Sequence, residues 1–275
     1  MADTESSARP RGRPPLHKNS QPSSVQALDR ALSLLDILAA SDGLTLTDLS
    51  NLAGMAPSTT HRLLSTLQNR GFVSLDPENS LWTVGLTAFQ VGNAFTRNRN
   101  FVTMGRPIMR ELMERTGETV NLGIEDNGQV VFVSQFESPE TMRAFFRAGR
   151  RGPIHASGIG KAIMSAWPVE RAERVLDKTN LQRFTDNTMT QVSELIADLA
   201  EVRSRGWSVD NEEHVLGMRC LAAPIFDEYG EAVAGLSISG PTVRLTDRAL
   251  AQVGPDVKRS ADAITVSIGG IVPHS

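Results

Sequence analysis

Two short helical patterns joined by a glycine-containing turn constrain the fold of this chain more than any other feature. In LTLTDLSNLAG, the apolar residues Leu46, Leu49 and Leu52 recur at helical spacing, and Gly54 marks the end of the helix. The next stretch, PSTTHRLLSTLQNRG, opens with a proline, which is favoured in a first helical turn. Its predicted core stripe consists of Leu63, Leu64 and Leu67. Two short helices with this separation predict a helix-turn-helix.

The outward positions of the second helix carry small polar groups and one arginine. No acidic residue lies between Pro57 and Gly71. Such a face can approach phosphates closely with its hydroxyls and amides, while Arg62 reaches a base edge. A merely solvated helix face normally mixes both signs of charge, so we favour DNA readout. The predicted DNA-binding residues on this helix are Ser58, Thr59, His61, Arg62 and Ser65.

Patterned segments flank the two helices on both sides. Upstream, apolar residues three or four positions apart in SVQALDRALSLLDILAA predict one buried helical face, made of Val25, Leu28, Leu32, Leu35 and Ala39. Downstream, FVSLDPENSLWTVG alternates like a strand, turns at residues 76–79 and returns as a second strand. We expect this hairpin to be the wing of a winged helix-turn-helix domain over residues 23–85.

A basic segment, RPRGRPP, lies within a predicted disordered tail of residues 1–22. Its arginines, among prolines and one glycine, cannot form a helix and bury nothing apolar. The segment resembles the AT-hook, whose extended arginines lie in the narrow minor groove of A·T-rich DNA. A solvated basic tail is the alternative. Residues 1–98 hold eight basic and eight acidic residues, so positive charge must be placed locally, and we favour DNA contacts by Arg11 and Arg13.

The second part of the chain mixes strand and helix patterns in an order typical of an α+β fold. TVNLGIEDNGQVVFVSQF indicates two strands around an Asp-Asn-Gly turn, which is a strong hairpin signal. Further helices are predicted from ASGIGKAIMSAW, over 169–177, over 192–205 and from Asp247 onwards, and further strands near 218–226 and 232–239. We expect a linker helix over residues 86–103 and a sensor domain over residues 104–272.

The glycine-rich stretch HASGIGKA does not fit a nucleotide-binding motif. A P-loop needs glycine where His155 stands and serine or threonine where Ala162 stands, and a dinucleotide fingerprint needs a small residue at Ile163. Cys220 could be imagined as a nucleophile with His155 and Asp210, but nothing around it resembles a nucleophile motif. The five histidines show no metal-ligand spacing. We expect neither an enzyme nor a metal or cofactor site.

A small polar cup is the second candidate site. Residues 157–160 stand at a predicted helix start, where free amide groups and the helix dipole attract anions. Ser237 and Ser239 are two positions apart on a strand and therefore present two hydroxyls on one face. Asp210 and Cys220 could complete the cup. The alternative is an N-cap with ordinary strand serines, and spacing alone slightly favours it.

Five stretches carry a family resemblance: SVQALDRALSLLDILA, LTDLSNLAGMAPSTTHRLLSTLQNRGFV, HASGIGKA, GWSVDNEEHVLGMRCLAAPI and AVAGLSISGP. From residue 24 onwards the chain resembles the isocitrate-lyase-regulator (IclR) family of bacterial transcription regulators. The resemblance implies a GAF-like effector domain. Family members that sense small 2-oxo acids bind them through positions matching Gly158, Ile159, Asp210, Cys220, Ser237 and Ser239. This chain departs from the family pattern by having Ile159 where alanine is common and by having no cation in the second wing strand.

These features predict a ligand-responsive transcription regulator that binds a palindromic operator as a homodimer or homotetramer. We expect a small carboxylate effector, glyoxylate first and pyruvate next, because the geminal hydroxyls of a hydrated 2-oxo acid can donate to Asp210. The alternatives are an aromatic acid, or an enzyme for small acids whose N-terminal helices make only protein contacts. No apolar run approaches the ~20 residues of a membrane span. We therefore expect a cytoplasmic, nucleoid-associated protein without a membrane partner.

Overall fold

The computed structural model describes residues 25–97, 100–144 and 146–273. They form two compact units, and the division between Asn93 and Ala94 falls inside the helix Leu86–Arg97. The predicted linker helix over residues 86–103 and the predicted domain ranges remain predictions. We describe each unit by itself.

The N-terminal unit contains the predicted helices and hairpin. Its helices are α1 (Gln26–Ala39), α2 (Leu46–Leu52), α3 (Pro57–Asn69) and the first part of α4 (Leu86–Arg97). Strands β1 (Val73–Asp76) and β2 (Leu81–Val84) pair antiparallel. The buried core consists of Leu34, Leu38, Leu49, Leu64, Val73 and Trp82. Helices and hairpin share this core, and the predicted winged helix-turn-helix is confirmed.

The buried face of α1 differs from the predicted one. Leu34 and Leu38 are buried, whereas Leu28 and Leu32 are 59% and 52% exposed. The helix carries two apolar stripes, and the stripe through Leu34 and Leu38 packs into the core of the unit. The prediction of a buried face through Leu28 and Leu32 was therefore wrong. Leu52 of α2 was also expected to be buried and is 64% exposed.

The C-terminal unit is built around an antiparallel sheet and belongs to the α+β class. Its strands are β3 (Thr119–Asp126), β4 (Gln129–Phe136), β5 (Arg151–Pro153), β6 (Ser208–Asn211), β7 (Met218–Phe226) and β8 (Ala232–Pro241). Within the described residues they lie in the order β5-β4-β3-β8-β7-β6. The helices are α5 (Asn100–Thr116), α6 (Gly158–Ser165), α7 (Val169–Lys178), α8 (Val192–Arg205) and α9 (Asp247–Ser267).

Helices cover both faces of the sheet. One face, which includes Val120 and Leu221, packs against α5 and α9. The other face, which includes Phe132 and Ala222, packs against α6, α7 and α8. Successive strand residues point to opposite faces of the sheet. The polar strand residues that stand between members of the first core therefore lie on the face that packs against α6.

Glycines allow α6 to lie close to the sheet. A Cβ at Gly235 of β8 would stand 2.9 Å from the Ile159 side chain, and a Cβ at Gly123 of β3 would stand 3.1 Å from the same side chain. Because glycine has no Cβ, Ile159 can pack directly on the strands at these positions. The first turn of α6 is thereby held against β7 and β8.

Two local features of the structure are not evident from the sequence pattern. The strand β6 was not predicted, because its four residues, SVDN, are too short and too polar to show a strand pattern. Proline usually interrupts a helix, but helix α5 continues through Pro107. Among the described residues, no helix combines the length and the apolar character that a membrane span requires.

Candidate functional site

The outward surface of α3 has the polar character that the sequence predicted. Ser58, His61 and Arg62 are exposed, and Thr59 and Ser65 are half-buried. The helix has no acidic residue in its first turn, and the residue at its N-cap, Ala56, has no side-chain acceptor for the first amides. Amides at a helix start that lack such an acceptor can bind phosphate oxygens.

Hydrogen bonds divide the roles of the groups on α3. The Ser65 hydroxyl donates to the carbonyl of His61 (2.8 Å), and the Thr66 hydroxyl donates to the carbonyl of Arg62 (3.0 Å). Both hydroxyls therefore direct acceptor lone pairs outwards, whereas the Arg62 guanidinium has only donors. An arginine with this exposure is suited to the paired acceptors of a guanine edge.

The wing adds no positive charge to this surface. The Asp76 carboxylate accepts hydrogen bonds from the Glu78 amide (2.9 Å) and from Asn79 Nδ2 (2.7 Å). These bonds lower the pKa of Asp76, the Asn79 side chain having the larger effect. The tip of the hairpin is thus an ordered, acidic turn, which is unfavourable for contact with phosphate. The predicted DNA-binding residues Arg11 and Arg13 lie outside the described residues.

Strand pairing brings the predicted ligand residues of the C-terminal unit together. Asp210 of β6 stands opposite Cys220 of β7, and Cys220 stands opposite Ser239 of β8. Ser237 lies opposite Ala222 in the adjacent row. Residues opposite each other in an antiparallel sheet share a face, and all of these polar residues therefore lie on the side of α6.

The start of α6 closes the site from above. The Ser157 hydroxyl accepts a hydrogen bond from the Gly160 amide (3.4 Å), as an N-cap does. A Cβ at Gly158 would lie 3.3 Å from the Cβ of Cys220, closer than most such contacts. Glycine at this position lets the backbone amides of the helix start approach the strand residues.

These elements enclose a cavity of about 30 Å³. All six predicted ligand residues line it, namely Gly158, Ile159, Asp210, Cys220, Ser237 and Ser239. Other lining residues were not predicted from the sequence, among them Phe132, Phe146, Arg150, Arg151 and His214. Arg151 stands beside the cavity because β5 pairs with β4, and this pairing is visible only in the fold.

Burial controls the charges in the cavity. Burial, and to a lesser degree the neighbouring Glu213 carboxylate, raise the pKa of Asp210 to about 7, against the hydrogen bond from the Glu213 amide. Burial also raises the pKa of the Cys220 thiol, with Asp210 as the second cause. Cys220 therefore remains a protonated thiol, which is a poor nucleophile. His155, imagined as its base, instead bonds the carbonyl of Gln182 through Nε2 (3.0 Å).

A polar chain supports Ser239 from the side of β3. Asn121 is fully buried, and its Nδ2 donates to the Ser239 hydroxyl oxygen (3.3 Å). Gln135 Nε2 in turn donates to Asn121 Oδ1 (2.9 Å). Because Ser239 accepts from Asn121, its own proton remains available for another acceptor, and a hydrogen bond to the Cys220 sulfur opposes the rise in the thiol pKa.

A buried ion pair lies behind the cavity. Lys161 of α6 is 1% exposed, and its Nζ stands 2.6 Å from Glu213 Oε1 and 3.1 Å from Asp198 Oδ2. Burial raises the pKa of Glu213, and the Lys161 ammonium opposes this shift. Spacing along the chain does not indicate this pair, because Lys161 and Glu213 are 52 positions apart. Across the residues that the structure describes, no group of acidic, histidine or cysteine side chains is arranged to hold a metal ion.

Comparisons with known proteins agree with both units. The family model for the IclR helix-turn-helix domain matches residues 27–77, and the model for the C-terminal part of bacterial IclR transcriptional regulators matches residues 93–266. The HTH-type transcriptional regulator BhcR of Paracoccus denitrificans is 49% identical over 254 residues, which cover 92% of this chain and 91% of that protein.

A second relative and a solved structure extend the agreement. The acetate operon repressor of Salmonella typhimurium is 43% identical over 249 residues, covering 90% of this chain and 91% of that protein. The crystal structure of Thermotoga maritima IclR matches with a TM-score of 0.77 at 27% identity, covering 89% of this chain and 99% of that chain. Both relatives are named as regulators of transcription rather than enzymes. The chain belongs to the IclR family of bacterial transcription regulators.

Proposed function

We propose that this regulator senses a two- or three-carbon 2-oxo acid, glyoxylate first and pyruvate next, in the cavity beneath α6. The proposal is supported by two chemically different groups that line the same small cavity. The amides of Gly158 and Ile159 form the donor end of this site, and the carboxyl of Asp210 forms the acceptor end. A ligand that fits must present a carboxylate to the first end and hydrogen-bond donors to the second.

A hydrated 2-oxo acid meets both requirements. Its carboxylate accepts from the amides of the helix start and from Ser237 or Ser239, as anions do at helix N-termini. Its geminal hydroxyls donate to Asp210, which a second carboxylate could not do without repulsion. Cys220 completes the wall between Asp210 and Ser239. A simple fatty acid has no group that can donate to Asp210.

The size of the cavity favours the smallest acids. A volume of about 30 Å³ is small for an organic ligand, so a two-carbon acid requires less rearrangement of the wall than a larger acid. An aromatic acid, the main alternative, requires the wall to open at Phe132 and Phe146, whose rings are stacked with centroids 4.6 Å apart. The acetate operon repressor, 43% identical to this chain, is named for a two-carbon acid.

Calorimetry on the full-length protein and Asp210→Ala tests the chemistry of the cavity. We expect glyoxylate to bind the wild type, and the substitution to weaken it by roughly 1.5–3 kcal/mol, the value of a hydrogen bond to a charged group. Acetate, which has nothing to donate to Asp210, should lose less. Binding of 4-hydroxybenzoate without heat from glyoxylate, or unchanged glyoxylate affinity in Asp210→Ala, would refute this chemistry.

We further propose that α3 reads operator DNA and that the basic tail assists it. Arg62 reads a base edge, while Ser58, Thr59, His61 and Ser65 position the helix through phosphates. Arg11 and Arg13 lie in the adjacent minor groove, as AT-hook arginines do. The acidic wing tip, with Asp76 and Glu78, makes a second source of positive charge useful. We therefore propose that the protein associates with nucleoid DNA.

The proposed assembly is a homodimer or homotetramer whose N-terminal units pair across a palindrome. Support comes from apolar side chains left outside the core of the unit: Leu28 and Leu32 on α1, and Leu86 and Phe89 on α4, are 52–70% exposed. Exposed apolar faces of this kind favour association, and a palindrome requires two-fold pairing. Sedimentation of Leu32→Glu, with Leu52→Glu as the matched exposed control on α2, should show a smaller species for the first variant alone.

A further inference from the structure

We propose that Lys161 and Glu213 are positioning residues for the effector, because their buried ion pair fixes the separation between the two ends of the cavity. Neither residue lines the cavity. The inference rests on the function proposed above and adds a pair of residues that act on the effector only through others.

The first half of the argument concerns α6. Lys161 stands three positions after Gly158, on the same short helix that supplies the anion-binding amides. Its ammonium is 1% exposed and lies 2.6 Å from Glu213 Oε1. Asp198 of α8 is a second acceptor for the ammonium at 3.1 Å. The helix start is therefore tied to the segment that follows β6.

The second half concerns the turn that follows Asp210. The backbone amide of Glu213 donates to Asp210 Oδ1 at 2.8 Å, so the position of Glu213 sets the orientation of the Asp210 carboxyl. The turn is also held from the loop between α7 and α8. Thr188 Oγ1 donates to the Glu213 carbonyl (2.6 Å), and Thr185 Oγ1 donates to the Glu212 carbonyl (2.7 Å).

The stability that a buried ion pair contributes does not by itself explain why Lys161 and Glu213 occupy these positions. Removing two charges from water costs several kcal/mol per ion, and apolar residues of similar volume are often as stabilising as a buried ion pair. A direct, charged tie between α6 and the Asp210 turn does have a geometric effect that apolar packing lacks. An effector held at both ends is sensitive to displacements of about 1 Å at either end.

The pair also acts on the charge of Asp210. The Glu213 carboxylate raises the pKa of Asp210, and the Lys161 ammonium lowers it. Loss of Lys161 leaves the Glu213 charge unopposed, so the pH at which effector binding changes should rise in Lys161→Met. The titratable or charged groups around Asp210 are Glu213, His214, Lys161, Asp198, Cys220, Arg150 and Arg151.

A matched control exists in the same unit. Glu118 is 3% exposed, like Glu213 at 4%, and its carboxylate forms two hydrogen bonds with Arg244, 2.5 and 2.7 Å long. Glu118 does not line the cavity. Glu118→Gln therefore removes a carboxylate of similar burial from an ion pair, whose Arg244 side chain is 31% exposed, without touching the link between α6 and Asp210.

The experiment is calorimetry of glyoxylate and acetate, over a range of pH, on full-length wild type, Lys161→Met, Glu213→Gln and Glu118→Gln. We expect Kd for glyoxylate to rise about tenfold in Lys161→Met and in Glu213→Gln. In Glu118→Gln the Kd should remain within about twofold of wild type, even where the melting temperatures of the variants fall equally. Acetate should lose less, and the pH profile of Lys161→Met should shift upwards.

Three outcomes are distinguishable. Wild-type protein that gives no heat with glyoxylate overturns the proposed effector and this inference together. If wild type binds glyoxylate and both Lys161→Met and Glu213→Gln bind it equally well, only the positioning role is overturned. Equal losses in Glu213→Gln and Glu118→Gln, with an unshifted pH profile for Lys161→Met, would show that the ion pair only stabilises the fold. Should Lys161→Met fail to fold, Glu213→Gln and its acetate comparison decide the question.

Discussion

The polar groups on the surface of α3 and those in the cavity beneath α6 differ in solvent exposure and in where they lie along the chain. On α3 the functional groups come from thirteen consecutive residues, and His61 and Arg62 are exposed to solvent. In the cavity they come from α6, β6, β7 and β8, and Asp210 and Ser239 are 5% and 1% exposed. Exposed charges are screened by salt, whereas buried charges shift their pKa and affect the stability of the fold. The two regions should therefore respond to different experimental variables, the first to salt and the second to pH.

The largest expected effect concerns the stability cost of the cavity. In the unfolded chain Asp210 ionises near its ordinary value of 3.8, and in the folded protein near 7. Between these pH values the folded state retains a proton that the unfolded state releases, so the free energy of unfolding falls as pH rises through this window. The full difference corresponds to about 4 kcal/mol. Asp210→Asn should remove it.

Urea denaturation of the effector-free protein measures this effect. At pH 8, Asp210→Asn should be more stable than wild type by up to about 4 kcal/mol, and near pH 4 the gain should be small. Glu228→Gln, which removes an exposed carboxylate from the turn between β7 and β8, provides the control. If wild type and Asp210→Asn lose stability equally between pH 4 and pH 8, the buried carboxyl does not carry this cost.

A smaller effect is expected on the exposed side. Arg62→Ala should cost about 1 to 3 kcal/mol at the cognate operator and relax discrimination at the contacted base pair. Arg70, exposed at the C-cap of the same helix, provides the control Arg70→Ala. Binding to a set of operator variants checks both proteins. Equal specificity of Arg62→Ala and wild type would remove Arg62 from base readout.

The smallest effect at physiological salt is expected from the tail. Deleting residues 1–20 removes the three arginines of RPRGRPP, so the slope of log affinity against log salt should become less steep by about 3. The comparison is between full-length and truncated protein over a range of salt concentrations. If the two slopes coincide, the segment is a solvated tail and makes no contact with DNA.

Local signals explain why the N-terminal unit could be predicted. The spacing of Leu46 and Leu49, the turn at Gly54 and the proline at the start of α3 all lie within adjacent residues. The prediction failed for α1, because this helix carries two apolar stripes and its sequence does not show which of them is buried. The stripe through Leu28 and Leu32 has the same period as the buried one, and only the position of the neighbouring helices decides between them.

The cavity depended on information that spacing does not contain. Ser237 and Ser239 could be assigned to one face from their separation alone, whereas Asp210 and Cys220 were only candidates until the family resemblance matched them to ligand positions. The register of β6 against β7 then places the latter two opposite each other. Lys161 and Glu213 were missed, because an ion pair between residues far apart in the chain becomes visible only when the helix and the turn are in place.

We propose that this chain couples an exposed DNA-reading helix to a buried cavity that binds a small acid. Fluorescence anisotropy tests this coupling with a labelled duplex from the DNA upstream of the coding sequence, bound to full-length protein and titrated with glyoxylate. We expect glyoxylate to change the affinity for this duplex in wild type, and the change to require a much higher glyoxylate concentration in Asp210→Ala, whose effector-free affinity for DNA is unaltered. An affinity that glyoxylate leaves unchanged in wild type, or changes equally in both proteins, would contradict the account.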